Sequence, residues 1–256
     1  MNAARTVPAA LILAGSRALP DPVATAEGVP HKSLVKVGGV ALLERVARAL
    51  TAAGCPRVAV SANDPEVRAL ATQLGLAGFA PGAGPAESVS LALAQWDAPL
   101  LVTTSDHALL EPRWVADFVA DAPANADVAV LLAKREQVEA AAPGSRRTWL
   151  RFADGDWSGC NLFLLATPRA SAAAALWQRV EAERKRPWRL AARLGWRMLA
   201  SYCLGRLSLA QAVASLGRRE GLVAAIVPAR NGLAAVDVDR PGDLAQVRQI
   251  IGDRGS

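Results

Sequence analysis

The sequence predicts an α/β fold on a doubly wound, mostly parallel sheet, with an additional helical element near residues 168–220. Apolar runs of strand length alternate with segments of helical period, the mark of βαβ units. The alternation holds through about the first 135 residues, lapses from Gln137 to Leu222 and returns near the C-terminus. With 256 residues, 52% of them hydrophobic and 20% charged, the chain has apolar material for one packed core. No run approaches the roughly 20 continuous apolar residues of a membrane-spanning helix.

The elements follow in order. A first strand is expected near Ala9–Leu13. "ALLERVARALTAAG" then sets Leu42, Leu43, Val46, Leu50 and Ala53 on one helical face and stops at Gly54. "RVAVSA" reads as a strand, and "DPEVRALATQLG" as a helix with Asp64 as N-cap and Pro65 in its first turn. "PAESVSLALAQW" is helical, "APLLVTTSD" a fully buried strand, "EPRWVADFVADA" a helix and "ADVAVLLA" a strand. Within the lapse, "RRTWLRFADGDWSGCNLFLL" has the pattern of two strands in a hairpin, followed by a long, mostly helical stretch rich in Arg, Trp and Ala. "GLVAAIVPA" and "LAAVDVD" are expected as strands, and "RPGDLAQVRQII" as the closing helix. The whole chain, 1–256, reads as a single domain.

A net charge of +6 and a pI near 9.9 favour an anionic partner, whether nucleotide, phosphorylated metabolite, nucleic acid or membrane surface. Cys55, Cys160 and Cys203 are odd in number and far apart, which fits a reducing compartment without a disulfide framework. With only His31 and His107 besides, nothing has zinc spacing; a catalytic metal would sit on carboxylates, favouring magnesium or manganese. The opening "MNAARTVPAALILAG" has one arginine ahead of a short apolar run, as a signal peptide does. Pro8 breaks that run and it leads straight into a glycine-bearing loop, so a cytoplasmic location is expected.

In a doubly wound sheet, ligands bind beyond the carboxyl ends of the strands. The loop after the first strand carries Ala14, Gly15, Ser16 and Arg17, then, much later, Lys32 in "GVPHKS". It fits neither common phosphate loop: His31 stands where a Walker motif needs glycine, and no G-x-G-x-x-G follows the strand. Backbone N–H groups of such a turn, with Arg17 and Lys32 adding charge, can form an anion site; the other reading is a surface loop with chance basic residues. Asp106 ends an apolar strand, placed either to hold a divalent ion beside phosphates or to cap a turn. In "AAVDVDRPGDL" the alternation sends Asp237 and Asp239 one way and Val236 and Val238 the other, giving either a metal site or a helix cap with a neighbour.

Taken together, "LILAG", "HKSLVKVGGVALLERV", "GAGPAESVSLAL", the strand ending in Asp106 and "VDVDRPGDL" occur in an order that resembles nucleotidyltransferases of the molybdenum-cofactor guanylyltransferase-like kind. Their larger superfamily includes sugar-phosphate and alcohol-phosphate cytidylyl- and uridylyltransferases. The resemblance spans about Ala9 to Ile251. It implies a Rossmann-like, GT-A-like nucleotidyltransferase fold, with a nucleotide-binding half of about 1–135 and an acceptor-binding half of about 136–256. It also implies transfer of a nucleoside monophosphate from an NTP, CTP or GTP foremost, to a phosphorylated small-molecule acceptor, with magnesium (or manganese) and release of pyrophosphate.

Carried over by position, the backbone at Leu13, Ala14, Gly15 and Ser16 approaches the nucleotide, Lys32 contacts its phosphates, and Gly84 and Ser88 match the base and ribose region. Asp106 corresponds to the magnesium-binding aspartate, with Asp239, then Asp237, as the second ligand. Arg146, Arg147, Arg151 and Asn161 lie where related enzymes form the acceptor side. Arg17 and Lys32 stand further apart than in the family pattern; the intervening "ALPDPVATAEGV" is read as a lid or an acceptor contact.

"ERKRPWRLAARLGWRMLASYCLGRL" spaces Arg186, Arg189, Arg193 and Arg197 helically, with Leu190, Leu194 and Met198 on another face. It is a solvated basic face, a phosphate-binding wall for the acceptor, or a membrane-surface contact with Trp188 and Trp196 at the interface. No nucleic-acid partner is expected. Two alternatives to the transferase stand: a GT-A-type glycosyltransferase using a nucleotide sugar, against which Asp106-His107 lacks the D-x-D motif, and a noncatalytic nucleotide-binding protein.

Overall fold

The computed structural model describes residues 5–15, 20–183 and 195–254. Its main sheet has eight strands: β1 (Ala9–Leu13), β4 (Val58–Ser61), β5 (Ala77–Phe79), β6 (Leu100–Thr104), β7 (Val128–Lys134), β8 (Leu150–Phe152), β9 (Gly155–Leu165) and β10 (Ala224–Pro228). The order is β10-β7-β9-β6-β1-β4-β5, with β8 paired to β9 off this path. β1 is parallel to both β4 and β6, β4 to β5, and β7 to β10; β9 runs antiparallel between β6 and β7. A small antiparallel ribbon, β2 (Lys36–Val37) and β3 (Val40–Ala41), turns at Gly38 and Gly39, both at positive φ.

The helices are α1 (Pro22–Glu27), α2 (Leu42–Ala52), α3 (Pro65–Gln73), α4 (Pro85–Trp96), α5 (Pro112–Asp121), α6 (Arg135–Ala141), α7 (Ser171–Glu183), α8 (Trp196–Cys203), α9 (Leu209–Arg219) and α10 (Pro241–Arg254). They cover both faces of the sheet, as the strand pattern requires. Ala10, Leu11 and Ile12 of β1 are all fully buried, but adjacent residues point opposite ways. Ala10 and Ile12 pack in one cluster with Leu42, Val46 and Leu50 of α2 and Trp114, Val115 and Phe118 of α5. Leu11 packs on the other side with Val89 and Ala92 of α4 and Ala174 of α7. Each such leucine contributes about 1.5–3 kcal/mol by leaving water.

Asp64 caps α3 as expected, its carboxylate accepting from the Glu66 and Val67 N–H groups at 2.9 and 3.0 Å. The hairpin expected in 146–165 forms as β8–β9, and β9 runs on into the centre of the main sheet. β5, α1 and α6 had no counterpart in the sequence reading. β5 is three residues long and holds two exposed positions, too short to show a period.

One expectation is corrected. "LAAVDVD" is not a strand: Gly232–Ala235 form a 3₁₀ turn, and 236–239 run extended with no ladder partner. Val236 and Val238 are nevertheless buried while Asp237 is half-buried and Asp239 exposed, so the alternation is real while the pairing is absent. Gly232 approaches the start of α6 so closely that a Cβ would collide with the Gln137 carbonyl. The described part of "ALPDPVATAEGV" lies against the closing helix in this structure. Asp21 caps α1 through the Val23 and Ala24 N–H groups, and Glu27 holds Arg248 of α10 with two contacts of 2.9 and 2.5 Å, so α1 belongs to the body of the fold.

Candidate active site

From β1 the chain steps outward to β4 and β5, then returns across β1 to β6, so the crevice between the carboxyl ends of β1 and β6 is the topological switch point. β1 ends in Leu13, Ala14 and Gly15. The Leu13 carbonyl accepts from the Ser105 N–H at 3.0 Å, and the Ala14 N–H donates to the Ser61 carbonyl at 3.0 Å, which fixes the turn against β6 and β4. Gly15 is exposed at the crevice; Ser16 and Arg17 lie outside the described residues.

Lys32 opens a 3₁₀ turn, Lys32–Leu34, capped by His31, whose Nδ1 accepts from the Ser33 N–H at 3.0 Å. This explains why histidine stands where a Walker motif has glycine: it closes the turn that aims the lysine. The buried Ser33 and Ser105 hydroxyls share a hydrogen bond of 2.7 Å, tying the lysine turn to the end of β6. Lys32 then spans the crevice. Its Nζ lies 2.6 Å from Asp106 Oδ2 and 3.1 Å from Asp239 Oδ1. Burial alone would lower the pKa of the ammonium, but the charges of Asp106 and Asp239 outweigh it and hold it above the ordinary lysine value.

Asp106 also accepts from the Thr104 hydroxyl, and its carbonyl accepts from the Val238 N–H at 3.1 Å, which docks the extended 236–239 stretch against the end of β6. Neither carboxylate takes the capping role left open by the sequence. α5 starts from Glu111, and Asp239 meets Lys32 while its own N–H donates to Asp243 Oδ2 at 3.2 Å. Asp243, at the start of α10, also accepts from the Arg240 N–H at 2.9 Å and so closes the turn that presents Asp239. Its spacing behind Asp239, a carboxylate in the first helical turn reaching back, is the signal that could have found it.

Asp237 is set deeper. Burial first, then the charges of Asp106 and Asp239, push its carboxyl up to about 6, against the lowering influence of Arg147 and Asn161. Asn161 donates to Asp237 Oδ2 at 2.7 Å from a bulge in β9, where it takes a left-handed φ of 48° and the register against β7 shifts. Arg147 pairs with Asp237 and, at 2.7 Å, with Asp243; its side chain is only 5% exposed. The structure therefore places Arg147 behind the aspartates as a brace, whereas the sequence reading set it toward an acceptor. Arg146 and Arg151 are exposed, Arg151 on β8, and are not drawn into this cluster.

Gly84 is the N-cap of α4. Ser88 Oγ accepts from the Gly82 N–H and donates to the Gly84 carbonyl, both at 3.0 Å, and Glu87 accepts from the Ala83 N–H at 2.7 Å. The two residues expected near the base and ribose thus build one tied loop, with the serine hydroxyl engaged inside it. His107, just after Asp106, is fully buried, and burial pushes its imidazole down to about 4, so it is neutral packing at neutral pH.

A lysine held between two carboxylates thus lies at the switch point of a mostly parallel sheet, the crevice where doubly wound α/β folds bind their ligands. The chain belongs to the family of MobA-like NTP transferase domains, whose model matches residues 10–194, well over half of its length. It is 33% identical to a hypothetical transferase from Thermus thermophilus, with a TM-score of 0.79 over 93% of this chain and 99% of that one. The fold is shared with a CMP:2-keto-3-deoxy-manno-octonic acid synthetase solved with CTP, at 18% identity and a TM-score of 0.57 over 96% and 99% of the two chains. It is shared also with a nucleotidyl transferase from Methanothermobacter, at 16% identity and 0.59 over 98% and 100%. No protein of curated function matches the chain.

Proposed function

We propose that the protein transfers a nucleoside monophosphate from an NTP, CTP or GTP foremost, to a phosphorylated small-molecule acceptor, releasing pyrophosphate, in the cytoplasm. The observation that carries this reading is the Lys32 ammonium shared between Asp106 and Asp239 at the crevice where the Leu13–Gly15 turn opens. An acceptor phosphate is already an anion, so attack on the α-phosphorus needs no strong base; the protein must hold two repelling anions in line and neutralise the charge that builds up. Lys32 is the residue assigned to the triphosphate, and the backbone of the Gly15 turn lines its approach.

Magnesium takes one or two protein carboxylates and fills its octahedron with phosphate oxygens and water. Asp106 and Asp239, which already share one cation, suit that role, and Asp237 adds a third carboxylate nearby, its pKa raised by burial first and then by the charges of the other two. Among the described residues no three His, Cys, Asp or Glu side chains form a ligand group of their own, so phosphate oxygens and water would have to complete the shell of an ion on Asp106 and Asp239. When bound, the ion supplies Lewis-acid neutralisation of phosphate charge.

The brace behind the aspartates has its own part. Arg147, Asn161 and Asp243 hold Asp237 and the Asp239 turn in place, so that Asp239 faces Asp106 across the shared Lys32 ammonium. The test is pyrophosphate release from a panel of triphosphates with phosphorylated acceptors, with and without magnesium. No release with any pair would overturn the reading.

A further inference from the structure

The α8–α9 segment takes no part in the proposed site, and its surface chemistry is unusual for a protein face left in water. α8 buries none of its residues, although it carries Trp196, Met198, Leu199 and Tyr202. Trp196 is 75% exposed and Leu204, just past the helix, 66%; Leu199 and Tyr202 are also exposed. Trp196, Leu199 and Cys203 recur at helical spacing, so the apolar groups share one side of α8.

Within the segment itself the side-chain charge has one sign, with Asp154 and Glu220 at its borders. From Gly195 to Arg219 the sequence has no Asp or Glu, but it has Arg197, Arg206, Arg218 and Arg219. The Arg197 guanidinium lies over the Trp196 ring at 5.4 Å. A groove of about 400 Å³ opens between the two helices, lined by Trp196, Arg197, Met198, Ser215, Arg218 and Arg219. Gly195, at φ 78°, sits so close to the Arg219 guanidinium that a Cβ would collide with it, so the arginine is packed at the entry to α8. The T-shaped contact of Tyr202 with Phe152 of β8, centroids 5.5 Å apart, anchors the segment to the body.

We propose that this face docks on an anionic membrane surface, with Trp196, Leu199 and Leu204 entering the headgroup boundary and the arginines meeting lipid phosphates. Tryptophan and leucine beside arginine are the pairing that an interfacial helix uses, apolar groups for the acyl boundary and fixed positive charge for the headgroups. A second copy of the chain suits the face poorly: a two-fold contact places the same patch on both sides, and the segment 195–219 offers no carboxylate to the arginines of the other copy. The proposal is independent of the transferase reading, since none of these residues lies in the crevice.

The test is sedimentation of the full chain with vesicles of phosphatidylcholine alone or with about 30% phosphatidylglycerol at about 0.1 M salt. The chain should pellet with the anionic vesicles only, and its tryptophan emission should shift to the blue on binding. The double variant Arg218→Gln/Arg219→Gln should lose roughly 25-fold in vesicle affinity, about fivefold for each arginine. Trp196→Ser with Leu204→Ser should abolish the blue shift. Pyrophosphate release with a soluble acceptor, measured without vesicles, should be unchanged in both variants. Failure to pellet with either vesicle, equal pelleting by wild type and both variants, or a dimer in solution that the Trp196→Ser/Leu204→Ser variant dissolves would overturn the proposal. Binding to an acidic protein or nucleic acid without binding to vesicles would overturn it as well.

Discussion

Lys32→Met should weaken catalysis and strengthen metal binding to the free protein at the same time. In the structure one ammonium holds both carboxylates proposed for the metal, at 2.6 Å from Asp106 and 3.1 Å from Asp239. A divalent ion entering without nucleotide must displace it. The Asp239 contact is discounted because that side chain is 62% exposed and solvent screens it. The Asp106 contact lies between side chains 17% and 13% exposed, and a hydrogen bond of this charged kind is worth about 1.5–3 kcal/mol. Removing it should tighten Mn²⁺ binding to the nucleotide-free protein by about ten- to a hundredfold. Titration of free Mn²⁺ by electron paramagnetic resonance reads that affinity directly. Turnover should fall by about 10²–10³, the usual loss when a group that stabilises transition-state charge is removed. Without metal the variant should melt below wild type, since two carboxylates lose their counter-charge, and Mn²⁺ should raise its melting temperature more than that of wild type. A folded variant that binds Mn²⁺ no better than wild type would refute the reasoning, because the ammonium and the metal would then not compete for the same oxygens.

Asp106→Ala should abolish detectable pyrophosphate release, a loss of at least about 10²-fold, while circular dichroism stays that of wild type; retained turnover would remove Asp106 from the site. Gly232→Ala drives a Cβ into the Gln137 carbonyl and must shift the stretch that leads to Asp237 and Asp239, so both melting temperature and turnover should fall; a thermal scan beside the activity assay checks it, and an unchanged pair would show that the stretch gives way freely. Asp127 accepts from the Val223 N–H at 2.8 Å and the Thr167 hydroxyl at 2.6 Å, the latter being the main cause holding its pKa below the ordinary value. Asp127→Ala should cost about 1–3 kcal/mol at neutral pH. Because the folded pKa is depressed, that stabilisation is present above about pH 4 and fades as pH falls through the folded value, so the gap between wild-type and variant unfolding curves should close in acid. A gap that persists at low pH would mean that the carboxylate charge is not what stabilises.

The longer strands and helices of the first 135 residues were legible because their periods differ sharply, two for strands and 3.6 for helices, and because Asp64, Pro65 and Gly54 punctuate them; α1, β2, β3 and β5 are too short to show a period. Asp106, Lys32 and Asp239 were legible through motif order together with position, each at the end of an element where a doubly wound sheet collects its ligands. Arg147 was not. Its sequence neighbourhood, "SRRTW", says only that a basic residue is exposed or near a phosphate, and its burial between Asp237 and Asp243 depends on where a segment some ninety residues later folds back. Asn161 was placed near the site, but its reach to Asp237 depends on a bulge in β9 created by pairing with β7, which no local pattern announces. "LAAVDVD" shows the converse: burial imposes alternation with or without a hydrogen-bonded neighbour, so a period of two proves an extended chain and not a strand.

By itself the sequence determined the class of fold and put Lys32, Asp106 and Asp239 forward as candidates, because those follow from short-range periodicity and from residue chemistry carried in order along the chain. Only the tertiary structure decided that one ammonium lies between Asp106 and Asp239, that Arg147 stands behind the aspartates, and that Trp196, Leu199 and Leu204 stay in water. Each of these depends on distances between segments far apart in the chain, and such distances are set by how the sheet and its helices pack.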